Sequence, residues 1–162
     1  MQTQQNFLTD SEEGIMYYQK TEKGCGSQWL EYRNHCYFHN QMKATWTEAK
    51  LWCESRYAHL VEIESKEESD WLARTFLLKD TCPSFIFDTS VAWTGGNDLV
   101  IEGQYQWNDS PLAMNFSNWF PGEPSAGDPV KAISKDCIDL LKNGEWNDRP
   151  CSFLNPFIYE MT

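Results

Sequence analysis

Two short stretches carry the residues best suited to chemistry: Glu123-Pro124-Ser125, and Trp146-Asn147-Asp148 just before Cys151. Both are rich in acid and amide oxygens, and a disulfide can hold two such loops side by side. Hard cations such as calcium take about six to eight oxygen ligands at about 2.3–2.6 Å, from carboxylates, Asn side chains and backbone carbonyls. The two loops offer that donor set.

The surrounding chain must hold those loops in place. Thr45 with Glu48 three residues on is a capping box, and Ala49 and Cys53 then share a face at helical spacing, which predicts a helix over about 46–56. Ser65 with Glu68 repeats the signature, and Trp71, Leu72, Phe76 and Leu77 supply the apolar stripe of a second helix. Leu60 to Ile63, Val91 to Thr94, Tyr105 to Trp107, Cys137 to Leu141 and Pro156 to Tyr159 are short apolar runs bounded by Gly, Pro, Asn and Asp, the pattern of strands. The order is α+β, two helices with small mixed antiparallel sheets. From Gly103 to Asp136 the chain is rich in turn residues and lacks periodicity, which suits a long loop only if that loop bears a site.

A chain of 162 residues with 41% hydrophobic and 15% aromatic content suits one folded domain, here 25–162, preceded by a polar arm over 1–24. A net charge of −11 without a basic run disfavours nucleic acid as a partner. Six cysteines without a CxxC pair suit disulfides, and hence a secreted or cell-surface location. No stretch approaches the roughly 18 apolar residues of a membrane span, and no charged start with an apolar core marks a signal peptide, as expected of a mature form.

Cys25-Gly26-Ser27-Gln28-Trp29, Cys36-Tyr37, Trp46-Thr47-Glu48-Ala49, Cys53, Ala58-His59-Leu60-Val61 and Trp93-Thr94-Gly95-Gly96 occur in that order ahead of the two loops. In this order the chain resembles a C-type lectin domain in its long form, with an N-terminal hairpin, from Cys25 to about Glu160. The resemblance implies disulfides Cys25–Cys36 and Cys137–Cys151. The family's partner for Cys53 would stand where this chain has Tyr159. Cys53 is therefore expected to pair with Cys82, the alternative being that Cys82 reaches a second chain and makes a covalent homodimer.

The resemblance also implies a sugar-binding calcium ion. Glu123, Asn147 and Asp148 match its ligands, and Ser125 stands where Asn is usual. Lys135, two before Cys137, replaces a carboxylate, and Asp128 in the lengthened loop is the candidate substitute. The family keeps the bond before Pro124 cis. Two vicinal sugar hydroxyls would displace waters from the ion, bonding the same carboxylates, with Trp119 or Phe120 available to stack on the sugar. Whether the sugar is galactose-type or mannose-type stays open. Asp98, Glu102 and Asp136 match an auxiliary calcium site, with Ala126 where a further acid is common.

Neither HExxH, GxSxG nor GxGxxG occurs, and His35, His39 and His59 lack metal spacing, so an enzyme is not expected. Asn108-Asp109-Ser110 and Asn115-Phe116-Ser117 match the glycosylation acceptor pattern. The expectation is a secreted lectin binding carbohydrate through calcium. The alternatives are calcium-independent recognition of a protein, for which Lys135 and Ser125 speak, and an acidic matrix protein adsorbing to mineral or ice.

Overall fold

The computed structural model describes residues 24–78, 90–110, 113–125 and 133–162. The arm over 1–24, apart from Gly24, lies outside the described residues, as do Cys82, Ala126 and Asp128.

Strands β1 (Leu30–Tyr32) and β2 (His35–Ala44) form the N-terminal hairpin, closed by the Cys25–Cys36 disulfide. Helix α1 (Trp46–Glu54) follows, then β3 (His59–Leu60), α2 (Lys66–Leu72) with a π-helical turn over Ala73–Leu77, β4 (Val91–Asn97), β5 (Gln106–Trp107), β6 (Cys137–Leu141), β7 (Trp146–Arg149) and β8 (Asn155–Met161). The strands join into one sheet in the order β1-β2-β8-β4-β6-β7, with β3 on β8 and β5 on β4. Its two antiparallel halves meet at a single parallel pairing, Trp93 with Phe157. The architecture is α+β, two helices with mixed, mainly antiparallel sheet, as expected.

Both capping signals start helices. The Thr45 hydroxyl accepts from Glu48 N at 3.3 Å while the Glu48 carboxylate accepts from Thr45 N at 2.9 Å. Helix α1 stops two residues short of the expected end because the chain turns left-handed at Tyr57, φ +55°. Ser65 caps α2 in the same way, but Glu68 is turned inward, accepting from Tyr37 Oη at 2.5 Å and Glu64 N at 2.9 Å.

One core cluster sets Trp46, Ala49 and Cys53 of α1 with Trp93, Phe157 and Tyr159; another sets Leu72 and Leu77 with Ile138, Leu140, Trp146 and Ile158. The Trp-Thr-Gly-Gly motif is explained by close packing. Trp46 Nε1 donates to Thr94 O at 2.7 Å, and a Cβ on Gly96 would lie 2.5 Å from Ile138 Cδ1.

Of the expected Cys53–Cys82 pair, only Cys53 lies among the described residues. Cys53 is a free thiol on the inner face of α1, fully buried in the cluster that contains Tyr159, and burial pushes its thiol well above the usual range. The aromatic ring at 159 fills core volume where the resemblance would place a cysteine. Among the described residues no helix is long and apolar enough to cross a membrane.

Candidate functional site

Strand β7 carries the second loop's acids because it pairs antiparallel with β6, setting Ile138 opposite Asp148 and Asp139 opposite Asn147. The Cys137–Cys151 disulfide ties the start of β6 to the chain two residues past the end of β7. The first loop is laced to the same strand: Trp146 N donates to Asn118 O and Phe120 N to Trp146 O, each at 2.8 Å. Glu123 N then donates to Phe120 O at 2.8 Å, and the Glu123–Pro124 peptide is cis. Glu123, Ser125 and Asp148 consequently face one space.

Lys135 fills the centre of that space. Its Nζ is 2.6 Å from Ser125 Oγ, 3.6 Å from Asp148 Oδ1 and 3.8 Å from Glu123 Oε2. Those two carboxylate oxygens are buried and have no hydrogen-bond partner. Tyr105, unremarked in the sequence except as part of an aromatic run, braces the arrangement. Its hydroxyl lies 3.1 Å from Lys135 O and 3.2 Å from Asp148 Oδ2. Burial, with hydrogen bonding to Glu123, pushes the Asp148 carboxyl up, although Lys135 opposes the shift. Burial acts the same way on Glu123, but hydrogen bonds from Asp148 and Ser125 and the Lys135 charge outweigh it and hold Glu123 below its usual value.

Asn147 is engaged elsewhere. Successive strand side chains point to opposite faces, and Asn147 Nδ2 donates inward to Asp139 Oδ1 at 3.0 Å. Asp139 is fully buried, with Arg149 Nε 2.6 Å and Asn155 Nδ2 3.1 Å from its Oδ2. Sequence reading passed over this network, since Cys137 to Leu141 reads as an apolar run. Arg149 between the Trp-Asn-Asp run and Cys151 was its one available signal. Trp119 packs edge-on against Tyr105 and Trp146, at 4.8 and 5.9 Å between ring centroids, as part of the loop's own packing.

Two of the three auxiliary acids, Asp98 and Asp136, come together through the backbone. Asp98 N donates to Asp136 O at 3.0 Å; Gly103 N donates to Asp98 Oδ2 and Ser134 Oγ to Asp136 Oδ2, at 2.8 and 2.7 Å. Each acid keeps one buried oxygen, Oδ1, without a partner. Burial raises the Asp98 carboxyl and the Asp136 charge adds to it, while the Gly103 amide opposes. Glu102 is exposed on the intervening loop.

A calcium ion fits these two places unequally. At the first, a dication about 4 Å from the Lys135 ammonium would meet a repulsion of about 8 kcal/mol at an effective dielectric of about 20, twice the unit-charge figure. With Asn147 turned inward, the described side chains there are too few to offset it. The first site as formed does not fit calcium. The Asp98–Asp136 pair, two orphaned carboxylate oxygens with no cation among them, is the better fit. It is a small one: among the described residues no three His, Cys, Asp or Glu side chains gather to hold a metal.

Comparison with known proteins identifies the family to which this fold belongs. The family described as Lectin C-type domain matches residues 42–161, and the chain belongs to it. The chain is 33% identical over 138 residues to the low affinity immunoglobulin epsilon Fc receptor of Mus musculus, covering 84% of this chain and 37% of that protein. It is 36% identical over 140 residues to C-type lectin domain family 4 member E of Mus musculus, covering 85% and 60%. The chain thus spans less than two thirds of the length of these relatives. The carbohydrate-recognition domain of mouse scavenger receptor C-type lectin superimposes with a TM-score of 0.73 at 30% identity, covering 85% of this chain and 98% of that one.

Proposed function

We propose that this domain recognises carbohydrate on the face formed by Glu123, Ser125 and Asp148, in an extracellular setting. The observation that carries the reading is the pair of buried, unpartnered oxygens, Glu123 Oε2 and Asp148 Oδ1, both within 4 Å of one ammonium. Two neighbouring hydroxyls of a sugar are donors of matching number and reach, and hydrogen bonds to carboxylates are roughly twice as strong as neutral ones. A domain of this family, the mouse scavenger receptor lectin, is described as carbohydrate-recognising. The two disulfides support an oxidising compartment.

Calcium enters this reading away from the sugar. Asp98 and Asp136, with Glu102 of the same loop, would hold it, and the ion would neutralise the two carboxylates and fasten the loop after β4.

A glycan array probed with the full chain, in calcium and again in chelator, tests the proposal. Retention of glycans bearing free vicinal hydroxyls, weakened at least tenfold by Glu123→Gln or Asp148→Asn, is the expected result. An array that retains nothing under either condition sinks it. The second reading is a protein ligand, favoured by the exposed run Leu99, Val100 and Ile101 beside the auxiliary acids and by the relative named for an immunoglobulin.

A further inference from the structure

We infer that the Lys135 ammonium is a built-in replacement for a divalent ion in the ligand site, so that ligand binding there is independent of calcium. As to the ligand this rests on the carbohydrate reading; as to the ion it stands alone. Three observations carry it. Lys135 is the one cation among the described residues within 4 Å of both Glu123 and Asp148. Its side chain is held rather than free, anchored on Ser125 Oγ at 2.6 Å and only 29% exposed. Its backbone is held too, through the Tyr105 hydroxyl on Lys135 O.

The spacing shows what the ammonium leaves open. At 3.6 and 3.8 Å the two carboxylate oxygens lie beyond direct hydrogen-bond range of Nζ, so neither is satisfied by it. An ammonium has three donors, of which Ser125 takes one. A ligand hydroxyl beside Nζ would donate its proton to Glu123 or Asp148 and accept one from Lys135. Those are the two duties that a metal-held hydroxyl divides between carboxylate and ion. Ser125 fits the same scheme: a short hydroxyl accepts from an ammonium, where an amide of Asn would also present an NH₂ toward it.

Calcium titration by calorimetry on the full chain tests this without any sugar. For the natural sequence, the isotherm should be unchanged by Glu123→Gln, any calcium bound being that of Asp98 and Asp136. Lys135→Glu should add a calcium-binding event, and Glu123→Gln in that background should remove it. A natural protein whose calcium binding is lost with Glu123→Gln overturns the inference, since Lys135 would then have moved aside for the ion. So does a folded Lys135→Glu protein, checked by near-ultraviolet circular dichroism, that gains no calcium. If Lys135→Glu does not fold, Lys135→Gln must show the same gain in weaker form, and its absence is equally decisive. Where a glycan has been found, chelator should change its affinity less than twofold in the natural protein and more than tenfold in Lys135→Glu. An empty glycan array would end the carbohydrate reading and leave the calcium isotherms to decide the replacement.

Discussion

Two adjacent residues at the mouth of β6 serve two carboxylate pairs in opposite ways. Lys135 brings a cation to Glu123 and Asp148, whereas Asp136 brings a second acid to Asp98. Both pairs keep two buried oxygens without a hydrogen-bond partner, but the first has the Lys135 ammonium within 4 Å of both, whereas the second, among the described residues, is met by the hydrogen-bond donors Gly103 N and Ser134 Oγ. The contrast teaches that carboxylates in these loops do not by themselves make a calcium site. What one neighbouring residue contributes decides whether an ion has a place to go. A third pair, Asp139 with Arg149, sets the scale for a fully internal one, Asp139 being completely buried.

The largest expected effect breaks that third pair. Arg149→Met leaves Asp139 an uncompensated charge that two amide donors alone must satisfy, and stability should fall by about 3–5 kcal/mol. Urea unfolding measures it. A loss below about 1 kcal/mol would mean the network beneath the loops is dispensable.

Converting the first pair into the second comes next. Lys135→Met leaves Glu123 and Asp148 facing each other without a cation, as Asp98 and Asp136 already are. At pH 8 in chelator the melting temperature should drop by about 2–4 °C, equivalent to about 1 kcal/mol for a partly exposed ion pair. Added calcium should recover more of that loss than it gives the natural protein. If calcium stabilises both proteins equally, the two sites are not distinguished by the lysine.

How far the sequence revealed this arrangement depends on which link of the chain is asked about. Capping signals are local, so Thr45 with Glu48 and Ser65 with Glu68 marked both helix starts, although nothing local shows that Glu68 turns inward to Tyr37. The two loops were legible because motif order implied their disulfide. Lys135 was legible as a misfit, but not as the central group, since that needs the fold to bring it onto Ser125 across ten residues of chain. Asn147 and Asp139 were illegible in a different way: strand alternation decides which of Asn147 and Asp148 reaches the loop face, and an acid inside an apolar run gives no sign of its buried partner.

Acid dependence should sharpen the comparison further. Burial pushes the Glu68, Asp98, Asp139 and Asp148 carboxyls up, Asp139 to about 6. A carboxyl with a raised folded value holds a proton in the native state that the unfolded chain has released, so its contribution to stability is lost as pH rises through the folded value. His35 works in the same sense. Its hydrogen bond to Glu160 raises it against the opposing cost of burial, and its support is complete below about 6.5 and fades above its own raised value. Unfolding in chelator should therefore show a protein more stable at pH 5.5 than at pH 8, by about 1 kcal/mol, with the more exposed His35 supplying the smaller share. A profile that is flat or rises with pH contradicts these assignments.

The smallest effect isolates the second pair. In chelator, Asp136→Asn removes one of two like charges that share a buried turn while preserving shape and an acceptor for Ser134. Burial still raises Asp98, but the further push from the Asp136 charge disappears. The variant should be more stable than the natural protein, by about 0.5 kcal/mol at pH 8, and the gain should vanish at pH values where Asp98 is protonated in both. Calcium reverses the order if the pair holds an ion. A ligand at a hundredfold excess over its dissociation constant adds about 2.7 kcal/mol to a protein that binds it and nothing to one that does not. The natural protein should therefore overtake Asp136→Asn as calcium is added. Curves that never cross would show that these two acids are a strained turn and not a place for a cation.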